Sequence, residues 1–173
     1  MTIFIIVIIA IAVIYFVFIK PHKSNVSQSS VLFKKNPGMY FMECYEVAEN
    51  LRKSSDDVDT LYYVCLSDWN FLLGCACQGR IGELDDNYDY YKGSDCKFPK
   101  PYIELLLSEK ERIYRMAHIA KRIDDAPIGK DHKIGESIGE YTDRKLCKSQ
   151  KFMTDFTYYL NFDFDKYVRT QIA

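Results

Sequence analysis

A group of oxygen-bearing side chains near the middle of the chain comes closest to a known metal-binding pattern. Asp85, Asn87 and Asp89 have the spacing of the first three ligands of an EF-hand calcium loop. The rest of the pattern is absent, because Tyr90 stands where the loop needs a glycine and Cys96 where it needs a bidentate glutamate. We therefore predict a solvated acidic loop without calcium.

Six cysteines form a second set of residues that could carry chemistry, at positions 44, 65, 75, 77, 96 and 147. In a helix, Cys75 and Cys77 point about 160° apart, and no second pair completes a zinc site. We predict no bound metal. Two states of the thiols stay open: disulfides in an exported domain, or reduced and buried side chains in the cytoplasm.

The histidines supply no recognisable catalytic motif. His118 lies on a predicted helix, with Arg115 and Arg122 on the same face. His132 follows Asp131 in a predicted loop. A His–Asp pair can act as a general base, but the sequence has no nucleophile elbow to go with it. We predict a protein that is not an enzyme and binds no cofactor, and a cryptic enzyme that uses His118 or His132 is the alternative.

Asp68 lies in the most apolar segment of the chain beyond the N-terminal run, residues 60–78. A buried carboxylate needs a partner, and we predict either a Lys or Arg from the basic half of the chain or the end of a neighbouring helix. The functional alternative is that Asp68, Trp69 and Asn70 line an opening that receives another protein. At 100° per residue, Asp68 falls outside the narrow stripe of polar and small residues of this segment, which is Thr60, Ser67, Asn70, Gly74 and Gln78.

Apolar spacing along the chain predicts an all-α domain of about five helices over residues 38–173. Ser108 and Glu111 fit a capping box, at which the longest helix starts or kinks. Asp68 and Asn70 argue against a second membrane-spanning helix. We predict a loop at 80–101 and helices at 39–53, 60–78, 102–124, in part of 125–147 and at 150–170.

Residues 1–19 are predicted to form a single transmembrane anchor. The run from Thr2 to Ile19 has no charged residue, and as a helix it would be about 27 Å long, close to the thickness of the bilayer hydrocarbon core. No Lys or Arg precedes the run and bulky residues end it, which argues against a cleaved signal peptide, although a cut near residues 27–29 is the alternative. Residues 20–37 are polar and Ser-rich and are predicted to form a flexible tether.

Charges that flank the run predict the side of the membrane on which the domain lies. Lys20, Lys23, Lys34 and Lys35 follow the run, whereas only the terminal amine precedes it. Positive residues tend to stay on the cytoplasmic side, so we predict a cytoplasmic domain. The even number of cysteines favours the periplasm or the exterior, and the sequence leaves that alternative open.

The chain has a formal net charge of only −1, but its charges are unevenly distributed. Residues 43–95 hold twelve Asp or Glu against four Lys or Arg, and residues 110–151 hold eleven Lys or Arg against seven Asp or Glu. An acidic N-terminal half argues against general nucleic-acid binding, which needs a concentrated basic face. We expect the two halves to attract each other within the fold, and the alternative is an acidic face for a basic partner.

Together these features predict a membrane-anchored, non-enzymatic protein-binding module, either an adaptor or an immunity-type inhibitor of another protein. Tyrosine supplies large amphipathic contact area, so the acidic, tyrosine-rich segment 85–91 is the predicted contact surface. The alternative is an exported, disulfide-containing envelope or virion-surface assembly protein. The candidate partner-binding residues are Asp68, Trp69, Asn70, Asp85, Asp86, Tyr88, Asp89, Tyr90 and Tyr91.

Overall fold

The computed structural model describes residues 36–55 and 57–169, and within these ranges the chain is all-helical. The prediction of an all-α domain is confirmed, with seven helices in the described ranges where about five were expected. The predicted anchor, and all but the last two residues of the predicted tether, lie outside these ranges. The helices are α1 (Pro37–Ser54), α2 (Asp57–Cys77), α3 (Ile81–Lys92), α4 (Lys100–Asp124), α5 (Ile138–Lys148), α6 (Gln150–Leu160) and α7 (Phe164–Tyr167). None of these seven helices combines the length and the apolar character needed to cross a membrane.

Helices α1 and α2 form a hairpin, and the polar stripe of α2 faces α1. Ser67 Oγ donates to the Glu49 carboxylate at 2.5 Å, and Gln78 Nε2 donates to the Gly38 carbonyl at 3.0 Å. Gly74 lets the two helices approach closely, since a Cβ added there would lie 2.5 Å from a methionine sulfur of α1. Three residues of the narrow stripe predicted for 60–78, Ser67, Gly74 and Gln78, therefore lie at the contact between the two helices.

The core lies around α2 and α4, which between them contact all five of the other helices in the described residues. From Trp69 to Cys77, α2 is buried on nearly all sides, as predicted for a central core helix. Helix α4 buries one side, which its apolar spacing also predicts. The buried residues on that side include Leu106, Ile113, Met116, Ala117 and Ala120.

Helix α1 covers the predicted residues but buries less of its predicted apolar stripe. Phe41 is 3% exposed and Ala48 1% exposed, so these two residues face the core. Met39, Val47 and Leu51 also belong to the predicted stripe, yet they are 46%, 59% and 41% exposed. The apolar periodicity predicts the position of the helix correctly, but it predicts more buried residues than the structure has.

The prediction of a loop at 80–101 is wrong for its first part, because residues 81–92 form α3. Leu84, Tyr88 and Tyr91 are buried at positions i, i+4 and i+7, which is the spacing of a helix side that packs on a core. The acidic residues between them make the segment look like a solvated loop. Gly93 follows the helix, and residues 93–99 form the connection to α4.

Two predicted helix boundaries also differ from the structure. Helix α4 continues through Ser108, whose Oγ donates to the carbonyl of the residue three positions earlier at 2.8 Å. The capping box lies instead at Ser137 and Glu140, where it starts α5. The single helix predicted for 150–170 is two helices, α6 and α7, separated by a short turn.

Gly79, in the turn between α2 and α3, is expected to tolerate substitution poorly. Its φ is +69°, and an added Cβ would lie 2.5 Å from the backbone nitrogen of Lys121 in α4. Gly79→Ala must therefore strain the turn and also push it away from α4. We expect the free energy of unfolding to fall by about 3 kcal/mol, measured by urea unfolding of the full chain in detergent with Trp69 fluorescence as the signal.

Gly135→Ala is the matched control for Gly79→Ala. Gly135 also has a positive φ, +82°, but an added Cβ would meet nothing within 4 Å. We therefore expect the free energy of unfolding to fall by only about 1 kcal/mol, from the conformational strain alone. Equal losses in the two variants would contradict the close approach between the Gly79 turn and α4.

Candidate functional site: an anionic groove beside the acidic face of α3

Helix α3 exposes acidic side chains on the side that faces away from the core. We call Asp85, Asp86, Asp89 and Tyr90, all of which are exposed, the acidic face. The Tyr114 hydroxyl of α4 donates to the Asp85 carboxylate at 2.6 Å, so one end of the face is fixed to a neighbouring helix. The face therefore presents carboxylates to solvent from an ordered helix.

The basic half of the chain does not neutralise these acids with ion pairs. Across the described residues, no ion pair joins an acid of 43–95 to a base of 110–151. Asp89 pairs with Lys92 at 3.0 Å on the exposed surface of α3 itself. Two polar contacts join the acidic segment to the basic half: the Tyr114 hydrogen bond, and Lys110, whose Nζ lies 4.9 Å from the centre of the Tyr88 ring. The alternative interpretation, an acidic face for a basic partner, gains support from this distribution.

A groove with a volume of about 380 Å³ lies beside the acidic face, between α1 and α2. Phe98 connects the two features, because its ring lies 6.3 Å from the ring of Tyr90 and also lines the groove. Aromatic walls next to carboxylates suit a cationic group. The residues that line the groove are Tyr45, Glu49, Arg52, Val64, Ser67, Asp68, Phe71 and Phe98.

Of the two carboxylates in the groove, Glu49 is neutralised and Asp68 is bound by neutral groups. Arg52 donates to both Glu49 oxygens, with Nη2 to Oε2 at 2.8 Å and Nε to Oε1 at 3.1 Å. Asp68 Oδ2 accepts the hydroxyl of Tyr91 at 2.6 Å and that of Tyr102 at 2.8 Å. Ionised Asp68 therefore gives the groove a net negative charge.

Burial raises the pKa of Asp68 to about 6, although the two tyrosine hydrogen bonds act in the opposite direction. The carboxylate is thus largely ionised at neutral pH in a partly dry site. A titratable residue that lines a cleft and has a shifted pKa is a candidate functional residue. The predicted basic partner of Asp68 is wrong, because the partners are tyrosine hydroxyls of α3 and α4.

The other two candidates on α2 lie in the core. Trp69 is 3% exposed, and its ring lies 5.1 to 5.7 Å from three aromatic rings of the C-terminal segment. Asn70 is 7% exposed and donates to the Leu66 carbonyl at 2.9 Å. Of the three predicted residues Asp68, Trp69 and Asn70, Asp68 is the one that lines an opening.

Two of the tyrosine candidates on α3 are buried as well. Tyr88 is 1% exposed and donates to the Leu106 carbonyl at 3.1 Å, and Tyr91 is 5% exposed. Tyr90, by contrast, is 41% exposed. The surface available to a partner on α3 is therefore smaller than the predicted segment 85–91, and it consists of the acidic face.

Sequence reasoning missed the residues that complete the groove. Glu49 and Tyr45 lie on α1, and Phe98 lies in the connection before α4. Tyr102 comes 34 residues after Asp68, the carboxylate that it contacts. No local pattern relates these positions, because the fold brings them together through contacts between four separate segments.

The structure also locates the residues considered for metal binding. Asp85, Asn87 and Asp89 lie within α3, where alternate side chains point in different directions, and Asn87 Nδ2 donates to the Glu83 carbonyl at 2.6 Å. Within residues 36–55 and 57–169, no group of three or more His, Cys, Asp or Glu side chains is placed to hold a metal ion.

The two histidines lie in different surroundings. His118 is exposed on α4, with its ring 6.3 Å from that of Tyr114. His132 packs against the Tyr141 ring at 5.4 Å. Its sequence neighbour Asp131 accepts hydrogen bonds from two basic side chains of α5, at 3.1 and 2.9 Å. Asp131 is thus engaged by cations that would hold it away from a role in orienting an imidazole.

Comparison with known proteins identifies no relative of this chain: no protein-family model, no curated protein and no solved structure matches it. What the groove and the acidic face can do therefore has to be argued from their own geometry. Their common property is negative charge held beside aromatic rings.

Asp68→Asn is expected to stabilise the fold at neutral pH. A carboxyl whose pKa is raised on folding binds its proton more tightly in the folded state, so its contribution is favourable at low pH and is lost as the pH rises through about 6. Asn keeps the shape and removes the charge. We expect near-equal stability at pH 4 and a gain of about 1–3 kcal/mol at pH 7.5, measured by urea unfolding.

Asp86→Asn controls for the removal of one exposed negative charge. Asp86 lies on the acidic face, outside the groove. We expect its unfolding free energy to stay within about 0.5 kcal/mol of the unmodified chain at both pH values. An Asp68→Asn variant that is less stable than the unmodified chain at pH 7.5 would contradict the account of Asp68.

All six cysteines are free thiols in the structure. Counting the thiols that react with a reagent tests whether any of them forms a disulfide in the protein. Burial raises the pKa of the Cys65 thiol to about 12 and that of Cys75 to about 11, and Cys77 is buried too. We expect these three to resist a thiol reagent at pH 7.5 in the folded chain. In urea without reductant all six should react, and a smaller number would reveal a disulfide.

Proposed function

We propose that this chain is a non-enzymatic, membrane-anchored protein-binding module, an adaptor or an immunity-type inhibitor, whose partner presents basic side chains. The observation that carries the proposal is the negative charge of the acidic face and the groove, which no basic side chain of the other half neutralises by an ion pair in the described residues. A partner with Lys or Arg side chains complements this charge and is steered toward it.

The groove is suited to receive one such side chain. Tyr45, Phe71 and Phe98 supply aromatic walls, and Asp68 supplies the carboxylate. A cation close to Asp68 stabilises the ionised form that burial otherwise disfavours. Binding therefore relieves an electrostatic cost that the free domain carries at neutral pH, which favours a basic partner over a neutral one.

The membrane anchor at residues 2–19 and a cytoplasmic domain belong to the same proposal. Their support is the uncharged run from Thr2 to Ile19 and the lysines that follow it. A tethered module meets a partner in the same membrane at a high effective concentration. Modest affinity at the acidic face is then sufficient for association.

The test is capture of a partner from detergent-solubilised membranes of the source cells by the full chain. We expect the triple variant Asp85→Asn, Asp86→Asn, Asp89→Asn to bind at least about tenfold more weakly, because it loses three exposed charges. Asn keeps the acceptor for the Tyr114 hydroxyl, so the fold should be unaffected. Titration of the captured partner against immobilised protein gives the affinity.

The matched control removes three exposed charges elsewhere, with Glu43→Gln, Glu46→Gln and Glu104→Gln. This variant should bind as the unmodified chain does, and binding should weaken as salt is added. A partner held equally well by both triple variants would rule out the acidic face as its binding surface.

A further inference from the structure

The connection between α4 and α5, together with the first residue of α5, exposes large apolar side chains. Ile128 is 54% exposed, Ile134 107% and Ile138 62%. Each is followed by a glycine, and we call residues 128–139 the isoleucine segment. Clustered exposed apolar side chains in a short segment mark a surface that contacts something other than water.

Side chains of α5 hold this segment in one conformation. Arg144 Nε donates to Glu136 Oε1 at 2.7 Å, and its Nη1 donates to Asp131 Oδ2 at 3.1 Å. The Gly129 amide donates to the Tyr141 hydroxyl at 2.9 Å. Asp131, Glu136 and the Gly129 amide are therefore held by side chains of α5, while the isoleucines of the segment stay exposed.

The segment lies beside the point where the N-terminal part of the chain joins the domain. Asn36, the first described residue, lines one cavity of about 340 Å³ together with Ser137 and Gly139. Met39 lines the same cavity and is 46% exposed. The first described residues of the chain thus lie beside the residues that flank Ile138.

Exposed basic residues accompany the isoleucines. Lys130 and Lys133 lie between Ile128 and Ile134, and both are exposed. Aliphatic side chains interleaved with lysines suit the boundary between anionic lipid headgroups and acyl chains. The same lipids repel the acidic face, which leaves that face to a protein partner.

We propose that the isoleucine segment contacts the surface of an anionic membrane. Ile128, Ile134 and Ile138 enter the boundary between headgroups and acyl chains, and Lys130 and Lys133 lie at the lipid phosphates. The inference rests on the anchor of the proposed function and adds to it a second, reversible contact that orients the domain on the bilayer.

A tryptophan probe tests this contact in the full chain, whose only native tryptophan is Trp69, buried in the core. The variant Ile134→Trp is reconstituted into vesicles of phosphatidylserine and phosphatidylcholine with brominated acyl chains. We expect the added tryptophan to lose about half of its fluorescence, because bromine quenches side chains that enter this depth. Replacing phosphatidylserine by phosphatidylcholine, or introducing Lys130→Glu with Lys133→Glu, should each reduce the quenching.

Leu51→Trp is the control, because Leu51 is also exposed, at 41%, but lies far from the start of α1. It follows the first residue of that helix by 14 positions, which is about 21 Å along the helix axis. Quenching of Trp at position 51 should be small. Equal quenching at both positions, or none at position 134, would overturn the lipid contact. Alkaline carbonate washing of the same vesicles reports the anchor separately: carbonate-resistant protein without quenching rejects the lipid contact alone, and protein that washes off rejects the anchor and this inference together.

Discussion

One carboxylate oxygen holds the candidate site together. Oδ2 of Asp68, on α2, accepts the hydroxyl of Tyr91 from α3 and that of Tyr102 from α4, at 2.6 and 2.8 Å. Three helices therefore meet at a single atom. This junction ties α3 to α2, and Phe98, which lines the groove, lies 6.3 Å from the Tyr90 ring of the acidic face. The apolar side of α3 packs on the core, and the Tyr91 hydrogen bond adds a polar contact from the same side to Asp68.

Two largely enclosed carboxylates of the chain, Asp155 and Asp68, have different donors. Asp155 is 2% exposed and accepts hydrogen bonds from Arg115 at 2.7 and 2.8 Å and from Arg112 at 3.3 Å, so its charge is balanced within the fold. Asp68 has neutral donors instead, and its ionisation at neutral pH lowers stability. Natural proteins commonly accept such a cost where a charge serves function. Asp155 is thus a charge balanced within the fold, and Asp68 carries the charge that we propose a cationic partner meets.

The spacing of apolar residues along the chain is sufficient to predict most of the helices. Helices α1, α2 and α4 were predicted to within three residues at each end, because their apolar residues recur at helical intervals. The same signal was present in α3 at Leu84, Tyr88 and Tyr91, where acidic composition outweighed it. Asp68 could be singled out because it breaks the pattern of α2. Its partners could not, since Tyr102 lies 34 residues away and a hydroxyl partner leaves no charge pattern to search for.

We propose that Asp68 is a largely buried carboxylate that is ionised at neutral pH and receives a cationic partner. The most direct measurement is the carboxyl ¹³C titration of aspartate-labelled full chain in detergent, with the Asp68 signal assigned by its loss in Asp68→Asn. We expect a midpoint at about pH 6. We also expect that a lysine-rich peptide moves the midpoint downward, because a cation in the groove favours the ionised form. A midpoint near the ordinary aspartate value of about 4, or one that the peptide leaves unchanged, would contradict the proposal.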